Sequence, residues 1–261
     1  MRLLRLTLLA ASLACAANPL LAQKKSDAET GSGITVTVAL TKPPFEVYRS
    51  AFHALQRGGY SLRAGLIDRG VLMTLPLAPK DTSLGRDLVV VAVQVDSAAD
   101  STRVRISAQT VDAEGRPIAG PASMAQAIVA AVAVSSGMEG KDAPVLPALA
   151  VRHGYAYDPT NPVHMWTGGE GGHDAQVRYL ASLKGPAGQP TRFARLGSCC
   201  AFERSGNPPQ GRLDVWEVTY DGAPAPVLLY LDFYALENPH APEGFTGGIP
   251  APQPVKPAAA R

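Results

Sequence analysis

The chain is poor in the residues and spacings that mark common catalytic and metal sites. Its 261 residues include three cysteines and five histidines, and no cysteine pair has the C-x-x-C spacing of zinc and redox motifs. Ser198 lacks the G-x-S-x-G elbow of serine hydrolases. The glycine-rich stretch 168–172 lacks both the G-K-[ST] ending and the G-x-G-x-x-G spacing of nucleotide-binding loops. The sequence therefore predicts no cofactor and identifies no catalytic residue.

Net charge is also nearly absent. The 24 basic residues face 22 acidic ones, and the basic count falls by two to 22 once Arg2 and Arg5 of the N-terminal segment are set aside. A nucleic-acid-binding protein needs a basic face to neutralise phosphates. We therefore expect no nucleic-acid partner.

No apolar run reaches the roughly 20 residues that a membrane-spanning helix requires. The first residues instead have the pattern of a secretory signal: Arg2 and Arg5, a short apolar run over residues 6–17, and small residues ending at Ala22. We predict cleavage after Ala22 and a periplasmic or secreted product. The alternative is a lipoprotein anchored at Cys15, although Ser12 stands where a lipobox usually has leucine.

Glycine (25) and proline (23) are abundant, which favours many turns and an all-β or α+β fold over a helical one. We predict an α+β protein of two small domains, each a mostly antiparallel sheet with one or two packed helices. The segments are a signal peptide (1–22), a disordered leader (23–33), a β-α-β-β-β-α domain (34–139), a linker (140–150), a second α+β domain (151–248) and a disordered tail (249–261).

Apolar periodicity places the elements of these domains. In the first domain we predict a strand at 34–40, a helix that starts at Pro43 and Pro44, strands within 62–77, 87–95 and 103–111, and a buried helix at 123–136. The second domain begins with a strand-like stretch at 151–157 and a helix at 173–183. A strand at 191–196 or a little beyond follows, then strands at 213–220 and 227–234, and Asp221-Gly222 is typical of a hairpin turn between the last two.

Cys199 and Cys200 are the only cysteines outside the N-terminal segment, and they are adjacent. They could close an eight-membered ring, pair with another chain, bind a metal, or remain buried and reduced. Neighbouring side chains of a regular strand point to opposite faces, so a ring requires the strand to be interrupted. We favour a structural pair or inert burial over a redox, metal or nucleophilic role.

Histidines provide the metal alternative. His153, His164 and His173 could join Cys199 and Cys200 in a copper or zinc site. Their spacings match no helical ligand pair, so Cys199, Cys200, His164 and His173 are weak candidates, and the sequence assigns no metal site.

Two carboxylates on successive strands form the last candidate. With an even hairpin register, Asp214 and Asp232 would be cross-strand neighbours beside Trp216 and Tyr230. Paired carboxylates next to aromatic rings suit sugar binding or acid–base chemistry. These four residues are a candidate binding face for a ligand or partner, although aromatic and acidic residues on an outward sheet face are also ordinary.

Two stretches resemble known families. Residues 47–60 with 68–72, a helix ending in Gly-Tyr followed by Asp68-Arg69-Gly70, weakly resemble envelope domains of the outer-membrane assembly lipoprotein type, in which such a helix leads into a strand and an Asp-x-x-Gly turn. That resemblance implies a scaffold or binding module. Residues 197–202, 213–222, 226–234 and 242–245 resemble an uncharacterised family of small secreted bacterial proteins, with Ala201 in place of the usual proline; this implies export.

These observations lead to one leading interpretation and two alternatives. We expect an exported envelope protein, most simply a non-catalytic structural or binding module whose partner is another envelope protein or a small ligand. One alternative is a metal- or thiol-dependent periplasmic protein centred on Cys199 and Cys200. The other is a hydrolase using Asp214 or Asp232. The oligomeric state cannot be read from the sequence.

Overall fold

The computed structural model describes residues 33–76, 88–118, 146–165, 172–204, 210–235 and 239–248. The predicted signal peptide, nearly all of the leader, the helix predicted at 123–136, most of the glycine-rich stretch 168–172 and the tail 249–261 lie outside these residues. They therefore stay predictions.

The described part of the chain is an α+β structure, as predicted. Helix α1 spans Pro44–Arg57 and helix α2 spans Gly172–Ser182. A short 3-10 helix, Ile67–Arg69, separates two strands. The strands are β1 (Gly33–Leu40), β2 (Leu62–Leu66), β3 (Val71–Thr74), β4 (Leu88–Ala98), β5 (Ser101–Val111), β6 (Val163–His164), β7 (Leu183–Lys184), β8 (Thr191–Glu203), β9 (Gln210–Tyr220), β10 (Val227–Asp232) and β11 (Thr246–Gly247).

Nine of these strands form one continuous sheet in the order β1-β5-β4-β3-β2-β8-β9-β10-β6, while β7 and β11 form a separate two-stranded ladder. Most pairings are antiparallel, but β2 pairs with β8, and β10 with β6, in parallel. Strands from both predicted domains thus share a sheet. The division into two domains remains a prediction.

The two helices cover opposite faces of the sheet at β9. Adjacent residues of a strand point to opposite faces. Glu217 is hydrogen-bonded to Arg49 of α1, whereas the neighbouring Trp216 donates its indole N–H to Gln176 of α2 at 3.0 Å. Strand β9 is therefore buried on both sides.

Each helix has its own apolar core. The core below α1 contains residues of α1, β3, β4 and β5, such as Phe52, Leu55 and Ile106, together with Leu196 from β8. The core below α2 contains Tyr179 and Leu180 with Trp216, Leu229 and Leu231. Because Leu196 belongs to the first core, β8 contributes to the packing of both halves.

A close backbone approach joins the halves at what we call the β2–β8 joint, made by Tyr48, Gly65, Leu66 and residues 196–198. Leu66 pairs with Ser198, and the Tyr48 hydroxyl donates to the Leu196 carbonyl at 3.0 Å. A Cβ on Gly197 would lie 2.6 Å from the Gly65 carbonyl oxygen. Only glycine allows β8 to approach β2 this closely.

Sequence periodicity located the main elements correctly, but it did not predict the two-residue strands β6, β7 and β11. The stretch 151–157 is bends and turns rather than a strand, because its backbone groups bond locally, as when Tyr157 N–H donates to the Gly154 carbonyl at 3.0 Å. In addition, β8 extends to Glu203, farther than the predicted end at 196 or a little beyond. The predicted hairpin is present, with β9 and β10 antiparallel and Gly222 at φ +86° in the turn.

Candidate functional site

The candidate residues of the second half gather where β8 and β10 end and β9 begins. Strand β8 is irregular here: its pairing with β9 shifts register between Arg195 and Gly197, and again between Cys199 and Phe202. Such bulges re-aim side chains and twist a strand locally. The predicted interruption of the strand at the cysteines is present as the second bulge.

Cys199 and Cys200 are joined by a disulfide. Of the alternatives open from the sequence, the structure has the eight-membered ring. Cys200 adopts φ +56°, a left-handed conformation that non-glycine residues seldom occupy. Cys199 is buried, with 5% of its surface exposed, whereas Cys200 is partly exposed. One cysteine of the ring is thus buried and the other is partly accessible to solvent.

Beside the ring, Asp214 is held by two partners from β8. One Arg195 Nη donates to Asp214 Oδ1 at 2.6 Å and to Ser198 Oγ at 2.8 Å, and Ser198 Oγ donates to the same carboxylate oxygen at 2.8 Å. Register explains the arrangement, since Ser198 is the direct cross-strand neighbour of Asp214. Asp214 is therefore a buried, paired carboxylate on a sheet face and not an open one.

Asp232 has a different set of partners. Its Oδ2 lies 2.9 Å from Nδ1 of His164, and its Oδ1 accepts the Tyr234 backbone N–H at 2.7 Å. Asp232 is 2% exposed, while 27% of the His164 side chain is exposed. A carboxylate on Nδ1 orients an imidazole and leaves Nε2 available for proton transfer or ligand binding. This arrangement is the nearest to acid–base chemistry among the described residues.

The predicted face of Asp214, Trp216, Tyr230 and Asp232 is wrong in its geometry. Asp214 pairs with Leu231, and Tyr230 pairs with Val215. Asp214 and Trp216 therefore share one face, and Tyr230 and Asp232 the other. The loop between Tyr220 and Val227 sets a register one residue away from the one that would pair the two aspartates, and such a shift exchanges the faces.

The three histidines of the metal alternative have separate partners. His153 lies 3.2 Å from Asp158, His164 bonds Asp232, and His173 stacks on Trp216 with ring centroids 5.5 Å apart. Within the described ranges, no group of three or more histidine, cysteine or acidic side chains could hold a metal ion. Cys199 and Cys200 offer no thiolate while they are bonded to each other, and metals bind the thiolate form.

A buried charge cluster that the sequence reasoning missed links α1 to β9. Arg49 donates to both oxygens of Glu217, at 2.7 and 3.0 Å, and to the Pro147 carbonyl at 2.7 Å. His53 Nε2 lies 3.1 Å from Glu217. Burial acts to raise the pKa of Glu217, but the hydrogen bonds and charges of Arg49 and His53 outweigh it and lower this pKa to about 2. Glu217 is therefore ionised at physiological pH.

A sequence signal for this cluster exists. Arg49 and His53 are four residues apart, so they lie one turn apart on the same side of α1. Arg49 also follows Tyr48 directly within an apolar helix face. What the sequence does not give is the partner, because Glu217 is 168 positions from Arg49.

A pocket of about 310 Å³ lies next to the β2–β8 joint, between the start of α1, the 3-10 helix and the end of β4. Phe45 and Tyr48 provide aromatic lining, and Asp68 and Asp96 provide carboxylates. Asp68 also forms an ion pair with Arg212 of β9. The volume is at the small end of the range for ligand pockets, about 300–1,000 Å³.

Comparisons with known proteins place the chain in no family. No family model and no curated protein matches it. One solved structure that is similar, a protein of the dynemicin biosynthetic locus called DynU16, has 14% sequence identity, covers 76% of this chain and 80% of its own, and gives a TM-score of 0.25. So low a TM-score carries no argument about this chain. Among the described residues, no helix is long and apolar enough to cross a membrane.

Proposed function

We propose that this chain is an exported protein of the bacterial envelope that acts as a non-catalytic structural or binding module. The observation that carries the proposal is the Cys199–Cys200 disulfide. Disulfides persist in the periplasm and outside the cell and are rare in the cytosol. This agrees with the signal-like pattern of residues 1–22.

The non-catalytic part of the proposal is supported by the engagement of the acidic groups. Asp214 is bound by Arg195 and Ser198, and Glu217 by Arg49 and His53. A general acid or base needs access to a reacting group and a pKa near the working pH. These carboxylates instead satisfy buried partners, which is a structural use.

The partner in this proposal is a small ligand or another envelope protein. The pocket beside the β2–β8 joint favours a small ligand, since its two carboxylates and its aromatic lining surround a concave volume. Ligands in such pockets are held by apolar contact and oriented by a few polar groups.

Export is tested by producing the full-length precursor in a Gram-negative host and fractionating the cells. The expected product is periplasmic or secreted, begins at Gln23 and contains no free thiol at Cys199 or Cys200. A product that begins at a lipid-modified Cys15 would replace secretion by anchoring. A control protein that lacks residues 2–22 should stay in the cytoplasm. If the full-length precursor also stays there uncleaved, the result would contradict the proposal.

The non-catalytic role is tested in a strain deleted for the gene, using any growth or envelope phenotype that the wild-type gene restores. Asp214→Asn keeps the side-chain size and removes the carboxylate charge, whereas His164→Asn shortens the side chain and removes the imidazole Nε2. We expect both variants, at wild-type protein level, to restore the phenotype fully. Loss of restoration by a stably folded His164→Asn protein would indicate acid–base or ligand chemistry at His164 and Asp232.

A thiol-dependent role is the second candidate, because the two cysteines form a ring in an irregular part of β8. It predicts that cysteine-to-serine exchange abolishes restoration in the same strain, although the protein still folds. Under the structural interpretation, the exchange lowers stability and leaves the function of the remaining folded protein unchanged.

A further inference from the structure

The Cys199–Cys200 ring directly follows the segment of β8 that forms the β2–β8 joint. Ser198, the residue before the ring, pairs with Leu66 of β2 on one side and with Asp214 of β9 on the other. Two residues earlier, the Leu196 carbonyl accepts the Tyr48 hydroxyl of α1. The ring is therefore coupled through three consecutive peptide groups to the contact between the two halves.

The backbone at the ring departs from a regular strand. Cys200 has φ +56°, and the ladder with β9 resumes only at Phe202 and Gly211. Adjacent side chains of a regular strand point to opposite faces, which two bonded sulfurs cannot do. The disulfide therefore keeps this part of β8 irregular. When the S–S bond is reduced, no covalent bond holds the irregular conformation any longer.

The two cysteines of the ring are unequally exposed. Cys199 is buried and pairs with Leu213, whereas Cys200 is partly exposed and precedes an exposed Ala201. An attacking thiolate can therefore approach the Cys200 side of the ring more readily. Thiol–disulfide exchange proceeds by such an attack through a mixed disulfide.

We propose that the Cys199–Cys200 ring is a thiol–disulfide exchange site for a dithiol reductant, and that its reduction loosens the β2–β8 joint. One thiolate of the dithiol bonds to Cys200 Sγ and displaces Cys199 as a thiolate, which takes a proton. The second thiol of the reductant, as its thiolate, then attacks the reductant's first sulfur, which is bonded to Cys200 in the mixed disulfide. This releases Cys200 as a thiolate, which takes a proton. Two electrons and two protons pass to the ring, and the dithiol becomes a disulfide.

The consequence for the joint follows from its small size. β2 and β8 pair through a single residue pair, so few backbone hydrogen bonds hold this part of the sheet. A freed Cys200 can leave the left-handed conformation, and the chain from residue 199 to 201 can then shift relative to Ser198. We expect local opening at the joint to become about tenfold more frequent.

Hydrogen exchange of the oxidised full chain, with and without dithiothreitol, tests the proposal under native conditions. Mass spectrometry of the intact protein first confirms a gain of two hydrogens. The expected result is about tenfold faster exchange in residues 196–203 and 62–70, while β4 remains unchanged as an internal reference. Reoxidation should restore the slow exchange.

A Cys199→Ser/Cys200→Ser double variant is the matched control. It should show the fast pattern in both segments with or without dithiothreitol, which separates opening of the ring from other effects of the reagent. Because the main measurement uses the wild-type chain, a variant that fails to fold leaves the test intact.

Three results would overturn the proposal: a ring that excess dithiothreitol does not reduce under native conditions, faster exchange confined to residues 199–203, or faster exchange throughout the sheet. The exchange-site proposal shares with the proposed function only the Cys199–Cys200 disulfide, and it does not depend on the proposed binding role. Failure of export would appear in the fractionation experiment and leave the exchange result unaffected.

Discussion

At the residue scale, glycine and cysteine have the most specific effects in this chain. Gly65 and Gly197 allow β2 and β8 to lie very close together. A Cβ added to either glycine would lie 3.0 Å or less from backbone atoms or from the Tyr48 hydroxyl. The adjacent cysteines hold Cys200 in a left-handed conformation. Gly197 and the two cysteines lie within four consecutive residues of β8. Small side-chain changes there should therefore affect both halves.

Gly197→Ala should destabilise the protein more than an ordinary glycine replacement. Its φ is +149°, and the new methyl group would lie 2.6 Å from the Gly65 carbonyl oxygen and 2.8 Å from the Tyr48 hydroxyl. We expect a loss of about 1–3 kcal/mol from overpacking, in addition to strain. Urea unfolding of the variant and wild type measures this loss.

Gly188→Ala is the matched control, because Gly188 also has a positive φ (+84°) but has no atom within 4 Å of the added Cβ. It should show only the conformational cost of a left-handed residue, about 1–2 kcal/mol. Equal losses in the two variants would mean that the close approach of β2 and β8 contributes nothing to stability.

At the scale of elements, α1 is attached to the sheet by charge as well as by apolar packing. The Phe52 and Leu55 side chains are fully buried, and Arg49 is bound to Glu217 on β9 and to the carbonyl of Pro147. Removing one partner of a buried ion pair leaves the other uncompensated. The Arg49–Glu217 pair is therefore the contact through which a single substitution should most weaken the docking of α1 on β9.

Glu217→Gln should lower the free energy of unfolding at neutral pH by about 3–5 kcal/mol, the range for breaking a buried pair. The wild type should also lose stability as the pH falls. The pKa of Glu217 is lowered from 4.5 to about 2 in the folded protein, so its stabilising contribution is complete above pH 4.5 and disappears as the pH falls through about 2.

Urea unfolding at several pH values between neutral and pH 2 measures both effects. The variant should lack the part of the pH dependence that Glu217 causes. Arg192→Gln serves as a control, because 62% of the Arg192 side chain is exposed in its pair with Asp221, and such surface changes usually stay within about 0.5 kcal/mol. Parallel pH profiles for wild type and Glu217→Gln would contradict the assignment.

At the scale of the whole molecule, the nine-stranded sheet joins segments that the sequence suggested as separate domains. Leu196 of β8 is packed in the core beneath α1, and Asp68 of the 3-10 helix pairs with Arg212 of β9. These contacts favour cooperative unfolding of the two halves.

We expect a single unfolding transition in guanidinium chloride. Trp166 and Trp216 both lie in the second half of the sequence, so tryptophan fluorescence reports on that half, while far-ultraviolet circular dichroism reports on both. The two curves should coincide, which is the test for a two-state transition. Separate midpoints would support two independently folding domains, as the sequence analysis proposed.

Local patterns explain which parts of this structure were predictable. Strand alternation, the prolines at the start of α1 and the Asp221-Gly222 turn act over a few residues, so α1, α2 and the β9–β10 hairpin could be placed. The strand-like stretch at 151–157 is irregular in the structure, because its backbone groups bond locally.

Identification of the candidate site from the sequence was less complete. The importance of Cys199 and Cys200 was visible, and the need to interrupt the strand followed from side-chain alternation. The pairing of His164 with Asp232, across 68 positions, was not visible. The predicted juxtaposition of Asp214 and Asp232 failed because it required a loop register that differs by one residue.

Composition and short-range periodicity were sufficient for the fold class, the positions of the main elements and the adjacent cysteine pair, because each depends on residues close together in the chain. Tertiary structure decided the joining of both halves in one sheet, the disulfide within an irregular strand, and the partners of every buried charge. These depend on strand register and on contacts between residues well separated in the chain, by 19 positions for Arg195 and Asp214 and by 168 for Arg49 and Glu217, and short-range patterns contain no information about such partners.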